Sequence, residues 1–396
     1  MGMPAWNLLP CSESPSGTSM RSIQVLLLLL CTFLASDLRA GGADLTLPCG
    51  EGASGARLAT APQGDVLLSW VRPLGKRGEE LLYSVRSGGE WRKAVSVHRS
   101  PRHRLGSWAD PPTVSWGPSG WVALWLVPVS ADSHGTTLVF SRSDDGRRWS
   151  APKSVHDDDS DTEHGFASLV HADDGVDVAW LDGRAYAAGE GRTELRMRRL
   201  SEPLGEERIL DDTTCDCCPT ATGGSGTLAW RDRREGEIRD ISVAGRRDDW
   251  TVRRATNDDW EFAGCPVNGP ALATNEADLL VWFTGDEVPR VQALPLEEGW
   301  PRRPLVLDEG EGVLGRVSVA ASGEGWRAVW VRAAGEERAH LLSRTVSPAG
   351  ELGPLETLGE LSAKRTSGFP SSIATSEGVL VVWQTDAGPT GALVGP

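Results

Sequence analysis

Seven tryptophans, each closing a short apolar run, recur along the 396-residue chain at a near-constant spacing. They are Trp70 (LLSW), Trp125 (ALW), Trp180 (VAW), Trp230 (LAW), Trp282 (LVW), Trp330 (AVW) and Trp383 (VVW), separated by 55, 55, 50, 52, 48 and 53 residues. A period near fifty is that of a radially repeated sheet, in which a unit too small to bury its own apolar faces stacks on its neighbours. Each repeat reads as four short strands. The second predicts strands over 113–115, 121–127, 137–141 and 150–155. Helical periodicity is nowhere sustained. The expected class is therefore all-β, a β-propeller of four-stranded blades. Gly 46 and Pro 25 supply the turns, and Trp 17 against Tyr 2 and Phe 6 fits one aromatic reused at one structural position.

The last repeat stops at Pro396 after about three strands, while residues 44–47 (DLTL) precede the first full repeat without a partner. Pairing the two would close the ring and remove its open edges. Seven blades closed by an N-terminal strand are expected, with six blades and an irregular seventh repeat as the alternative. Nothing divides residues 41–396 into two domains.

Residues 23–35 form an apolar run behind Arg21, too short to span a bilayer and of the length of an export signal. Leu38-Arg39-Ala40 before Gly41-Gly42 resembles a cleavage site, and Met20 is a better natural start than Met1, which would leave residues 1–19 untranslated. The mature chain is expected to be secreted or periplasmic, monomeric, in an oxidising compartment and not inserted in a membrane. A net charge of −15 argues against nucleic acid and anionic membranes as partners, because both demand a basic face. A glycan or small acidic ligand is the expected partner class.

In a propeller, the loop leading into a blade's first strand and the loop leaving its second open on one face. That rule gathers Asp182, Arg184, Arg231, Asp232 and Arg233, with Arg239 and Arg316, around a mouth to which Asp110, Glu163 and His164 also belong. Surface Arg and Asp are commonly just solvated, and His164 reads equally as a residue satisfied by the backbone. The acidic run 157–163 lacks the Gly of a tight calcium loop and reads as solvated. Cysteine is the sharper signal. Cys218-Pro219 and Cys265-Pro266 occupy the same place in successive repeats, and Cys215 and Cys217 lie beside the first. Three readings stand: two disulfides, a thiolate site for Zn or Cu (with His164 as a further ligand), or a reactive thiol. Cys49 is left over.

Between the third and fourth strands of the second repeat lies SRSDDGRRWS, in which Asp144, Gly146 and Trp149 stand in the register of an Asp-box. With HGF at 164–166, WLDGR at 180–184, TCDCCPT at 214–220, WRDRREGEIRD at 230–240 and GCPVNGP at 264–270, the chain resembles secreted bacterial proteins of the sialidase-like, Asp-box (BNR) repeat family. The similarity covers nearly all of residues 41–396. It implies a glycoside hydrolase acting on an acidic sugar. Arg184, Arg231, Arg233, Arg239 and Arg316 would supply the carboxylate clamp, with His164 beside them. Asp182 or Asp232 would be the acid/base and Tyr186 the nucleophile. A non-catalytic glycan- or protein-binding propeller and a metal-binding or redox propeller are the alternatives.

Overall fold

In the computed structural model, the structure describes residues 43–130, 132–297 and 303–395; the export segment lies outside them. Among these residues the chain forms seven antiparallel sheets in sequence order. The third blade is representative, with strands His164–Ala172, Gly175–Asp182, Thr193–Arg199 and Arg208–Thr214 running from the centre outward. Six blades take all four strands from one repeat. In the seventh, Ser371–Thr375, Gly378–Thr385 and Gly388–Val394 are completed by Ala43–Asp44 from the other end of the chain. Ala43 pairs with Leu393 and Asp44 with Ala392, and the Leu45 amide donates to the Gly391 carbonyl at 3.0 Å. The closing strand begins one residue earlier than the sequence suggests. The ring has seven blades, and the six-bladed alternative is overturned.

The tryptophan period has a direct cause. Second strands alternate their side chains between two apolar neighbours rather than between core and water. Leu67 joins the cluster shared with blade two, whereas Leu68 and Trp70 join the cluster shared with blade seven. Seven such clusters fill the seven seams of the ring. Every repeated Trp packs against the blade before its own. Trp180, Trp230, Trp282 and Trp330 are fully buried, each contributing on the order of 5 kcal/mol of apolar transfer.

A buried indole N–H needs an acceptor, and for four of the seven the preceding blade supplies it, while Trp180 uses Asp182 of its own blade. Trp230 donates to Asp211 at 2.7 Å, Trp282 to Asp258 at 2.6 Å, Trp330 to Asp308 at 2.8 Å and Trp383 to the Glu360 carbonyl at 3.3 Å. Acceptor and Trp are 19, 24, 22 and 23 residues apart. Much of the acidity near the seams is thus a repeated structural staple.

The Asp-box is a turn device, with one correction. Asp145, rather than Asp144, caps the turn, accepting from the amides of Arg147 and Arg148 at 2.8 Å each. Gly146 takes a φ of 69°, and a Cβ there would meet Trp121 at 3.0 Å. Tyr83 is buried and donates to the Gly146 carbonyl at 2.5 Å, which ties the turn to blade one.

Candidate functional site

The loops that lead into first strands and those that leave second strands do open on one face. On it lies a pocket of about 800 Å³ walled by blades two and three and by the loop into blade four. A second cavity of about 610 Å³ runs along the axis, lined by the first strands with small residues such as Ala59, Ala273 and Ala321.

The pocket's floor depends on a strained strand start. Phe166 adopts a φ of 52° beside a bulge between Gly165 and Ser168. Its amide donates to Asp110 Oδ2 at 2.6 Å. The carboxylate then sits so close to Gly165 that a Cβ there would lie 2.4 Å from it, so only glycine fits. Blade six repeats the device: Asn268 accepts from the Arg316 amide at 2.6 Å, and Arg316 has a φ of 53°.

Burial pushes the Asp110 carboxyl up to about 6, although the Phe166 N–H and the nearby Arg57 guanidinium pull it back. At the rim, partial burial and then Asp216 raise Glu163 above the usual range. A carboxyl whose folded pKa is raised stabilises the fold below its unfolded pKa, and that contribution is lost as pH rises through the folded pKa. Asp110 therefore favours the folded state at pH 4 and ceases to do so by about pH 6. Asp211, raised by burial and by Asp232 to about 6, acts in the same direction. We expect Asp110→Asn to reduce the fall in Tm between pH 4 and pH 7, leaving the part due to Asp211 and the other raised carboxyls such as Glu163. An unchanged slope in a thermal scan would contradict this origin.

Tyr186 stands on the single helical turn Arg184–Ala187, which follows the Trp180 strand. It is 64% exposed on the pocket wall, and among the described residues no carboxylate is hydrogen-bonded to its hydroxyl. His164 is buried in the wall. Its ring stacks on His156 at 3.7 Å, Nδ1 donates to the Thr136 carbonyl at 2.9 Å, and Nε2 lies 3.1 Å from Asp158. It holds two loops together.

The arginine clamp expected from the family resemblance is not assembled. Arg231 is buried and donates to the carbonyls of Asn268 (2.8 Å), Arg239 (2.6 Å) and Phe283 (2.6 Å), with its guanidinium 5.0 Å from the Trp260 ring. Arg316 is likewise buried and spends its donors on the carbonyls of Lys364 and Ala363 and on Ser367 Oγ. Arg184 forks onto Asp182 at 2.8 and 2.7 Å. Arg233 and Arg239 share Glu237. Asp182 has no exposed surface and also accepts from the Trp180 indole. Asp232 is buried, accepting from its neighbour Arg233's amide and lying 3.3 Å from Ser242 Oγ. Asp182 is thus closed to a substrate, and Asp232 lies outside the pocket between blades two and three. The physical reason is common to all: in a ring of mostly irregular loops, guanidinium and carboxylate groups satisfy backbone ends and each other.

The four mouth cysteines do converge. Cys215 Sγ lies 3.2 Å from Cys218 Sγ and 3.9 Å from Cys217 Sγ, and Cys265 Sγ approaches Asp216 at 3.8 Å. The five described cysteines are thiols here, and Cys49 is buried far along the ring in the seam of blades one and seven. The Asn268 amide points at Cys218 Sγ at 3.4 Å.

Comparison of the sequence with family models and with curated proteins returns no match. Solved structures are similar in fold. An ulvan lyase of polysaccharide lyase family 25 superposes with a TM-score of 0.55 at 10% identity, covering 89% of this chain and 96% of the lyase. The BP39L lectin of Burkholderia pseudomallei gives 0.51 at 14%, covering 86% and 99%. The family resemblance thus holds at the level of the β-propeller. The residues that sequence reasoning passed over are the indole acceptors Asp211, Asp258 and Asp308 and the sharing of Asp110 with Phe166. For the first, an acidic residue 19 to 24 positions before Trp230, Trp282 and Trp330 was the available signal. For the second there was none, because it is a contact 56 residues apart.

Proposed function

We propose that this chain is an exported carbohydrate-binding propeller that takes a neutral sugar in the pocket between blades two, three and four. The observation that carries the reading is the pocket's lining. Tyr186 offers an exposed aromatic face for a sugar ring, while Asp110, Asp161, Glu163 and Asp216 offer carboxylate acceptors for hydroxyls. Among the described residues no Lys or Arg lines it. A sugar carboxylate would meet like charge there, so the expectation of an acidic ligand gives way to a neutral one. Two propellers of similar fold are themselves named for glycans, a lyase and a lectin, which supports the ligand class. A sialidase-type mechanism finds no support in this geometry, because its clamp and acid are spent on internal contacts.

The test is a glycan array with neutral and sialylated oligosaccharides, followed by calorimetry on the best ligand. We expect saturable binding of a neutral glycan, weakened at least ~10-fold by Tyr186→Ala and by Glu163→Gln in protein of unchanged circular dichroism, in line with the loss of one central aromatic anchor. Binding confined to sialosides, or release of sialic acid, would overturn the reading.

A further inference from the structure

Independently of the carbohydrate reading, we propose that the Cys215–Cys218 loop is a three-thiolate site for one Cu(I) ion, with Cys215, Cys217 and Cys218 as ligands. The three sulfurs, one from each residue, lie mutually within 4.8 Å. Cys215 and Cys218 are buried and Cys217 half-buried, so the group faces the mouth through one ligand only. Cys265 is exposed and groups instead with Asp216 and Cys217. It stands outside the trio. Zn²⁺ in a structural site takes four ligands in a tetrahedron, whereas soft thiolates in low number select Cu(I).

The surrounding charge points to an anionic occupant. The Arg231 guanidinium is buried, and among the described residues it has no carboxylate partner; its hydrogen bonds all go to carbonyls. Arg239 is buried as well, and among the described residues its Nη1 has no hydrogen-bond partner. Arg233 stands nearby, and Glu237 is the one carboxylate that Arg233 and Arg239 share. An uncompensated buried cation is costly. Three thiolates would supply the missing charge beside Arg231, whose carbonyl accepts from the Cys215 amide. A Cu(I) ion with three thiolates carries two negative charges, the number left unmatched when Glu237 offsets one of the three guanidiniums of Arg231, Arg233 and Arg239.

The loop is also built to hold a fixed shape. The Cys215 amide donates to the Arg231 carbonyl at 3.1 Å, and Thr214 Oγ1 donates to the same carbonyl at 2.9 Å. The Asn268 amide aimed at Cys218 Sγ orients that sulfur from blade five. Such outer contacts orient ligands around a metal.

The experiment uses the full mature chain, reduced and then freed of reductant without air, and titrated with Cu(I) against bathocuproine disulfonate. We expect one equivalent retained per chain, three sulfur neighbours by X-ray absorption, and at least ~100-fold weaker retention in Cys217→Ser, the upper range for loss of a metal-binding contact. Cys265→Ser should retain one equivalent within ~10-fold. Cys217 and Cys265 are the least buried of the four, so these variants keep the core, and Tm reports it. Four outcomes would overturn the proposal: no Cu(I) retained by the reduced wild type, native protein in which the four cysteines are paired and cannot be reduced without unfolding, equal loss in both variants, or four-sulfur Zn²⁺ bound in preference to Cu(I). None of these readouts involves a glycan, so failure here leaves the pocket reading untouched.

Discussion

Arg231→Ala is expected to destabilise the propeller by about 4 kcal/mol, in the range for stripping one partner from a buried charged network. The side chain is 1% exposed and bridges three carbonyls belonging to blade four, the loop into blade five and the end of the Trp282 strand. Removing it leaves those carbonyls buried without donors and opens a void against Trp260. A substrate clamp would behave otherwise: its loss would silence the protein and leave the fold intact. Urea unfolding separates the two. The midpoint should fall sharply at unchanged m-value, and an unmoved midpoint would return Arg231 to the list of ligand-binding groups. Arg231→Lys should recover little, because a point charge cannot reproduce a fork directed at three acceptors.

Asp258→Ala should cost about 3 kcal/mol, since charged acceptors are worth roughly 1.5–3 kcal/mol and buried donors left unmet cost about as much. Its carboxylate accepts from Trp282 Nε1 and Thr284 Oγ1 at 2.6 Å each and from Gln292 Nε2 at 3.2 Å. All three donors are buried. The staple joins blade four's outer end to blade five, so the effect extends beyond one strand. Thermal unfolding followed by far-ultraviolet circular dichroism would report it. Asp258→Asn, which keeps an acceptor but loses the charge, should fall between the variant and the wild type. If both substitutions leave Tm within a degree of wild type, the indole staples are dispensable and apolar packing alone sets the repeat.

The repeat itself was fully legible, because one structural demand is met seven times by one residue type. Trp70 and its six counterparts occupy equivalent seams, and a spacing near fifty can satisfy that only in a closed ring. Ring closure was legible for a related reason, an unpaired strand at one end and a missing one at the other. The convergence of the cysteine loops of blades four and five followed from the same register, although Cys265 meets Asp216 and Cys217 rather than Cys218. What misled was residue type read without burial. Arg231, Arg316 and Asp182 look like mouth chemistry because they sit in mouth loops, yet all three are buried. Whether a guanidinium faces water or a carbonyl depends on backbone ends contributed by strands about fifty residues away, and the pattern of charge along the chain carries no record of them. The same holds for Asp144 and Asp145, adjacent in the turn, of which the structure makes the second the cap.

By itself, then, the sequence determined the architecture: an all-β ring of seven blades, the face on which its loops open, and the convergence of four cysteines on it. These follow from periodicity, which local order repeats until it becomes global shape. Tertiary structure alone decided what that face can hold. It turned the arginines inward as staples, left an acid-lined pocket beneath Tyr186, and surrounded three thiols with buried positive charge. The physical reason is that burial and hydrogen-bond partnership are set by distant contacts, and those, rather than residue type, decide whether a charged group is chemistry or scaffold.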